Sequence, residues 1–371
     1  MPEHNKAKAY HRGKRFYFYL TLLLDTGLLL FFQFSGLSVA LRKIAADFFA
    51  NIWLLNAAYL GLFCLGAYLI HLPLSFFIDY SWEHRFGLSN QRITAWLWDD
   101  IKKALLSLII ILLFVEVLYF ILRVFPQHWW IGAALFWLFL SLFLARIMPN
   151  VILPLFYHYK PVKNEELRVR IKGLFDQCRV YLEDVFAIDF STKTKKANAF
   201  VCGLGKKRRV VLTDNLIDQF DIREIESVVA HELGHYVARD TLKLIAVNTA
   251  VIMLAFFLTD KFLNLMLSFA GGLSIGDIAG LPLFALALML LGLVTSPVIN
   301  AYSRYLERRA DRFSLQLTGD ADAFSQMIQK LGQMNLAEFQ PSRFDVFMFY
   351  DHPPIAERVR SAELFREQRS S

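Results

Sequence analysis

The sequence predicts a multi-pass α-helical membrane protein, with about six transmembrane helices and one small cytoplasmic α/β domain. The first observation is composition. Of 371 residues 56% are hydrophobic and 35 are Phe, with a mean hydropathy of +0.39, whereas soluble domains hold about 45–50% apolar residues. The second is length: crossing a bilayer takes about 20 helical residues, and six stretches meet this, roughly 16–41, 52–77, 104–125, 129–156, 242–269 and 278–302. The third is the single large polar insertion, about 157–241, between the fourth and fifth stretches. These divide the chain into a membrane region of four spans (1–156), a cytoplasmic insertion (157–241), a membrane hairpin (242–302) and a C-terminal cytoplasmic region (303–371).

Charge orients the spans. Lys6, Lys8, Arg12, Lys14 and Arg15 precede the first span and hold the N-terminus inside by the positive-inside rule. Connections on the far side are poor in Lys and Arg, whereas the near-side ones carry Arg85, Arg92, Lys102 and Lys103, and then the run Lys206, Lys207, Arg208 and Arg209. Both ends are therefore cytoplasmic. The net charge of +7 and pI near 9.2 reflect these loops rather than nucleic-acid binding. Cys64, Cys178 and Cys202 form neither a disulfide framework nor a thiolate metal pattern. The first apolar stretch runs past signal-peptide length without a small-residue cleavage site, so it reads as a retained span. Asp25, His71, Glu116, Arg146, Asp260 and Lys261 are costly against lipid; they either face protein or water within a chamber, or end spans and pair between neighbouring helices.

In the insertion, Glu165 to Leu182 reads as an amphipathic helix, with Leu167, Ile171, Leu174, Cys178 and Tyr181 at helical spacing. Strands are expected at Val185 to Phe190, Ala199 to Val201 and Arg209 to Thr213, the last two joined across Gly203 and Gly205. Asp214 or Asp221 is placed to cap a helix, the second leading into V-V-A-H-E-L-G-H-Y-V-A-R-D at 228–240. There His231, Glu232 and His235 spell H-E-x-x-H. Four residues is just over one helical turn, so both imidazoles leave one face and suit one Zn²⁺ ion per chain. Glu232, beside the first His, is placed to take a proton from a water attacking a carbonyl. Two His and a Glu also fall at this spacing by accident in some long chains.

A third ligand follows from the topology. His235 lies about seven residues before the fifth span. Spans five and six turn back at a tip around Gly271 to Gly276 and return the chain to the same face, presenting Glu307 and Asp311 one turn apart. Glu307 completes a His₂Glu site and Asp311 accepts the second ring N–H of a ligand His. The alternative is a solvated charged face formed by Glu307, Arg308, Arg309 and Asp311.

Several stretches in order resemble the type I CAAX prenyl proteases, the a-factor-converting intramembrane zinc metalloproteases, over about 55–360. They are W-E-H-R-F-G-L-S-N-Q at 82–91 with D-D-I-K-K at 99–103, K-A-N-A-F at 196–200, R-R-V-V-L-T-D-N-L at 208–216, the H-E-x-x-H segment, S-R-Y-L-E-R-R-A-D at 303–311 and H-P-P-I-A-E-R at 352–358. The resemblance implies a zinc metalloprotease domain with His231, His235 and Glu307 as ligands and Glu232 as base, and helices that wall a water-filled chamber. It also implies that Asn198 and Ala199 lie on an edge strand that holds an extended peptide, in keeping with the free N–H and C=O groups of a strand edge. His352 and Arg358 resemble the family's pair near the oxyanion.

The chain departs from the eukaryotic pattern. It has four spans rather than five before the motif, Phe200 in place of the usual Tyr, and no reticulum-retrieval signal. This favours a prokaryotic plasma-membrane homologue over one of the endoplasmic reticulum. The expected function is a membrane-embedded zinc endopeptidase acting on peptide or protein substrates, prenylated C-terminal CAAX sequences among them, in contact with the bilayer. Two alternatives stand beside it: a quality-control protease resembling the HtpX type without prenyl specificity, and a non-catalytic transporter or channel, which leaves Glu232 without a task.

Overall fold

In the computed structural model the chain is described at residues 3–203, 208–269 and 272–370; Gly205, Lys206, Lys207 and Gly271 lie outside the described residues. The membrane region comprises α1 (Glu3–Phe34), α2 (Leu37–Phe48), α3 (Ile52–Ser75), the short α4 (Trp82–Arg85), α5 (Ile93–Val124) and α6 (Trp129–Ile147). Next come β1 (Tyr159–Pro161), α7 (Glu165–Gln177), β2 (Asp184–Ile188), β3 (Ala199–Cys202), β4 (Arg209–Thr213), α8 (Asp214–Gln219) and α9 (Ile222–Val237). The chain re-enters the membrane with α10 (Asp240–Phe269) and α11 (Leu281–Thr318), and closes with α12 (Ala321–Met334), α13 (Arg343–Phe349) and α14 (Ile355–Ser370).

Among the described residues, six helical stretches are long and apolar enough to cross a membrane. Their bounds differ from those expected. The first ends at Phe34 rather than 41, because Gly36 at φ 83 takes the left-handed conformation that stops a helix and starts α2 in a new direction. The third begins at Ile93 rather than 104, and the sixth runs on to Thr318 rather than ending at 302. These two helices extend beyond their apolar windows, and hydropathy marks the bilayer rather than the helix end.

Neighbour contacts run α1 to α2, α2 to α3, α3 to α5, α5 to α6, α6 to α10, α10 to α11 and α11 back to α1, a closed ring of helices. A ring whose members touch mainly their neighbours leaves an interior, and the most apolar window of the second span has no buried residue. The chamber follows from that arrangement. Tyr59, Tyr119, Trp129 and Phe256, all fully buried, fill one sector of the wall. Five of the six intramembrane ionisable groups meet polar partners: His71 Nε2 is 2.7 Å from Asp25, Glu116 accepts from Asn56, and Asp260 accepts from Trp129 Nε1 at 2.8 Å and lies 3.1 Å from Lys261; Arg146 lines a cavity at the end of α6. Lys14 and Arg15 form ion pairs with Glu83 and Glu338, which tie the head of α1 to α4 and to the loop after α12.

The domain between the spans is a four-stranded sheet in the order β1-β2-β4-β3, parallel between β2 and β4 and otherwise antiparallel. β1 was not expected. Three residues, two of them exposed, carry no hydrophobic alternation. α7 ends at Gln177, five residues short of the expected end, because Arg179 adopts φ 53 and takes Tyr181 off the helical face. α7, α9, α12 and α14 enclose the sheet with Ile171, Phe175, Val229, Leu233 and Phe324 at the centre, all fully buried.

Candidate metal centre

Helix α9 is launched by a reciprocal cap: Glu224 N–H donates to Asp221 Oδ1 at 2.9 Å, and Asp221 N–H to Glu224 Oε2 at 2.9 Å. Its apolar face, Val228, Val229 and Leu233, is held in the domain core. The polar face bearing His231 and His235 is thereby turned towards α11. Gly234 permits that approach, since a Cβ there would lie 3.0 Å from the Phe313 ring. Ser314 Oγ donates to Ser227 O at 2.8 Å across the same contact.

α11 is one unbroken helix of 38 residues, about 57 Å long at 1.5 Å per residue. It leaves the membrane hairpin and passes α9, carrying Glu307 to the two imidazoles. Glu307 Oε2 is 3.2 Å from His231 Nε2, Glu307 Oε1 is 3.2 Å from His235 Nε2, and the two Nε2 atoms are 3.2 Å apart. Ligands about 2.0–2.1 Å from a tetrahedral zinc stand about 3.3 Å from one another, which is the spacing found. Glu307 is 7% exposed, and its Oε2 is buried without a hydrogen bond. A buried carboxylate oxygen left without a donor suits a cation. The donor set, two imidazoles and a carboxylate, is one that zinc takes in hydrolytic sites.

The far side of each imidazole meets a carboxylate. His235 Nδ1 is 3.0 Å from Asp240 Oδ2, and His231 Nδ1 is 2.9 Å from Asp311 Oδ1, an approach too oblique for a well-formed hydrogen bond. Such partners fix the tautomer and leave Nε2 free for a metal. Asp240 is itself held by Arg309 and Lys243, and Asp311 by a two-pronged bond from Arg358, Nε at 2.9 Å and Nη2 at 2.6 Å. Arg358 was expected near the oxyanion. It lines the same cavity as Glu232 and His352, and gives two of its N–H groups to Asp311, the carboxylate behind His231. His352 Nε2 lies 3.4 Å from Glu307 Oε1, with its Nδ1 2.8 Å from Asp351.

Sequence reasoning missed Asp240, because five residues beyond His235 is the wrong face of a continuous helix. The helix is not continuous: Arg239 at φ 57 separates α9 from α10 and turns Asp240 back under His235. Replacing Asp240 by Asn is expected to weaken zinc binding by about 10–100-fold. Competition with a chromophoric chelator measures this, and an unchanged affinity contradicts the role.

Burial opposes charge on His231, but the Asp311 and Glu307 carboxylates outweigh it and carry its pKa up to about 10. His235 moves upward likewise, against burial, through Glu307 and Asp240. A metal binds the neutral ring, so protons held to higher pH compete with it. Zinc uptake by metal-free protein is therefore expected to release protons, with affinity rising as the pH is raised towards about 10. Calorimetry in buffers of different ionisation enthalpy reads the proton count, and a pH-independent affinity contradicts the expectation. Glu232 is displaced upward by its own burial, offset in part by His231 and His235.

Beside the centre β3 forms the sheet edge, with no strand on its outer side among the described residues. Asn198 precedes it, held by Thr213: Asn198 N–H donates to Thr213 Oγ1 and Thr213 N–H to Asn198 O, both at 3.0 Å. Asn198 Oδ1 takes the N–H of Ala199 at 2.9 Å. The segment leading in is clamped from the membrane region. Lys195 N–H donates to Leu88 O, Asn90 N–H to Lys193 O, and Lys193 Nζ is 2.5 Å from Asp99. Asn215 binds the carbonyls of Thr194 and Lys196 at 2.8 Å each. The stretches 82–91 and 208–216 thus meet the segment around Asn198 through Leu88, Asn90, Thr213 and Asn215.

A metal-binding helix pressed against a strand edge, both carried on a ring of membrane helices, defines a membrane-embedded metallopeptidase. The model for peptidase family M48 matches residues 161–365, and a model described as the CAAX prenyl protease N-terminal region with five membrane helices matches residues 2–158. The chain belongs to peptidase family M48. In its N-terminal part four helices are long enough to span, and the 12-residue α2 lies between the first two. An uncharacterized metalloprotease of Bacillus subtilis, YhfN, is 30% identical over 96% of this chain and 84% of its own length. A CAAX prenyl protease 1 homolog of Arabidopsis thaliana is 29% identical over 96% and 87%, and CAAX prenyl protease 1 of Saccharomyces cerevisiae 27% over 91% and 83%. The crystal structure of Ste24p from S. mikatae has the same fold, with a TM-score of 0.85 at 23% identity over 97% of this chain and 89% of that one. These findings favour a peptidase over a transporter.

Proposed function

We propose that this protein is a zinc endopeptidase of a prokaryotic plasma membrane that cleaves C-terminal peptides of the CAAX type, with its active site facing the cytoplasm. The observation that carries the reading is the meeting of His231, His235 and Glu307 within 4.8 Å beside a free strand edge, where the membrane helices end. Those three residues hold one zinc per chain, with Asp311 behind His231. When bound, zinc supplies Lewis acidity at the scissile carbonyl and makes water more acidic. Glu232 takes the proton from the attacking water and passes it to the departing amine nitrogen.

Asn198 and Ala199 begin the edge strand along which the substrate backbone is held extended. His352 donates from Nε2 to the carbonyl oxygen as it gains charge; burial lowers its pKa, and Asp351 and Glu307 outweigh that and raise it. Lys and Arg concentrated at one end of the spans support the cytoplasmic orientation. Relatives named as CAAX prenyl proteases, alike over more than nine-tenths of this chain, support the substrate class.

The test compares an S-farnesylated peptide with its unmodified twin on purified protein. The farnesylated peptide is expected to be cut about ten-fold faster or more. Equal rates would transfer the protein to a quality-control role without prenyl recognition.

A further inference from the structure

Two cavities of unequal size, about 470 and 1030 Å³, flank the candidate metal centre. The smaller holds Glu232 and His352 between two walls that come from different parts of the chain. One wall is the lead into β3, from Lys196 to Ala199; the other includes Asn335 and Glu338, at and just after the end of α12. A cleft with walls on separate elements keeps its width only if something spans them. The head of α1 does so, on the same helix that goes on to cross the membrane.

Towards the β3 wall, Tyr10 Oη donates to Glu83 Oε1 at 2.6 Å, and Lys196 Nζ stands 3.1 Å from Glu83 Oε2 and 3.3 Å from Tyr10 Oη. Towards the other wall, His11 Nε2 donates to Leu336 O at 2.9 Å and Arg15 Nη1 to Glu338 Oε1 at 3.0 Å. Tyr10, Phe86, Leu88 and Leu336 are buried together in a small core, separate from those of the protease domain and the membrane ring. Seating Leu336 there has a consequence for the backbone. It takes φ 50, a left-handed angle that a leucine keeps only where its surroundings hold it. The preceding residue is brought against the lead into β3: Asn335 Oδ1 accepts Ala197 N–H at 3.2 Å, and Asn335 Nδ2 donates to Ala197 O at 3.4 Å. A side chain thus pairs with both backbone groups of Ala197, as a neighbouring strand would.

We infer that the head of α1 sets the width of the smaller cavity, and that His11 is a positioning residue for the reaction, acting through Leu336 and Asn335 on the strand edge beside Glu232. This rests on the peptidase reading proposed above. His11 lies outside the lining of the cavity and outside the metal-binding trio. Its ring N–H holds the carbonyl of the one left-handed residue on that wall. Without that bond Leu336 relaxes, Asn335 leaves Ala197, and the edge shifts relative to Glu232 and His352. A misplacement of about 1 Å remote from the chemistry costs up to about 10²-fold in rate, so the loss falls on turnover rather than on metal content.

Hydrogen exchange and kinetics on the full-length protein in detergent test this. In His11→Ala protein the Ala197 amide is expected to exchange about ten-fold faster or more than in wild type, with Asn335→Ala marking its full release. Turnover of a CAAX-type peptide is expected to fall about ten-fold, with KM within about two-fold and zinc at about one per chain. His11→Gln, which keeps an N–H donor, is expected to restore both. Ala197 protected as in wild type, or kcat unchanged, would overturn the inference, and so would a Gln variant no better than Ala. Should His11→Ala not fold, Asn335→Ala cuts the brace at its far end and carries the same expected fall in kcat. If wild type itself cuts no peptide the proposed function fails, and exchange at Ala197 still decides the brace.

Discussion

Glu232→Gln is expected to reduce peptide hydrolysis by about 10³-fold or more while zinc stays at one per chain. The size reflects loss of a positioned general base, worth about 10²–10⁴. Gln keeps the shape of the side chain but cannot accept a proton from water. Glu232 lies outside the trio of metal-binding atoms, so the substitution leaves that donor set intact. It is flanked by buried Leu233 and His231 on a helix whose cap and core face are elsewhere, so folding should persist. Metal analysis and a discontinuous peptide assay on the same preparation decide the matter. Near-normal turnover by zinc-loaded protein would remove Glu232 from the chemistry.

Glu307→Gln is expected to lower zinc content from about one per chain towards zero, and activity by about 10³-fold or more. Here the loss is of a ligand rather than a base. Two imidazoles one turn apart on α9 hold a divalent ion weakly, and the carboxylate from α11 supplies both the third donor and a negative charge. In the metal-free protein the Glu307 charge is held by the His231 and His235 imidazoles, the same contacts that raise their pKa values, so Gln is expected to cost the apoprotein some stability. Following each protein with and without zinc separates metal loss from that cost. Thermal unfolding with and without zinc checks this: wild type is expected to gain stability with the ion and Glu307→Gln to gain little. Retention of stoichiometric zinc by the variant would place the third ligand elsewhere.

The parts of this protein that were legible beforehand are those with a local period or a local signal. Apolar runs longer than about 20 residues mark spans, whatever packs around them. The i, i+4 spacing of His231 and His235 puts both rings on one face in any helix, and Asp221 was placed to cap that helix. Some errors fell where a single backbone angle intervenes. Gly36, Arg179 and Arg239, all at positive φ, stop or turn helices at positions that hydrophobic periodicity does not register.

The sequence by itself determined a six-span membrane chain with a metal-binding helix, because hydropathy and helical spacing are properties of neighbouring residues. The return of Glu307 to the same face was expected from the hairpin, and the tertiary structure decided how closely it meets that helix. Glu307, 72 residues from His235, lies 3.2 Å from it because α11 continues past the bilayer; Asp240 returns to His235 through one left-handed residue, and Arg358 gives two N–H groups to Asp311. The closed ring of helices and the two unequal cavities likewise arise from contacts between distant segments. Such contacts are selected by burial and charge pairing across the whole molecule, and no window of sequence contains both partners.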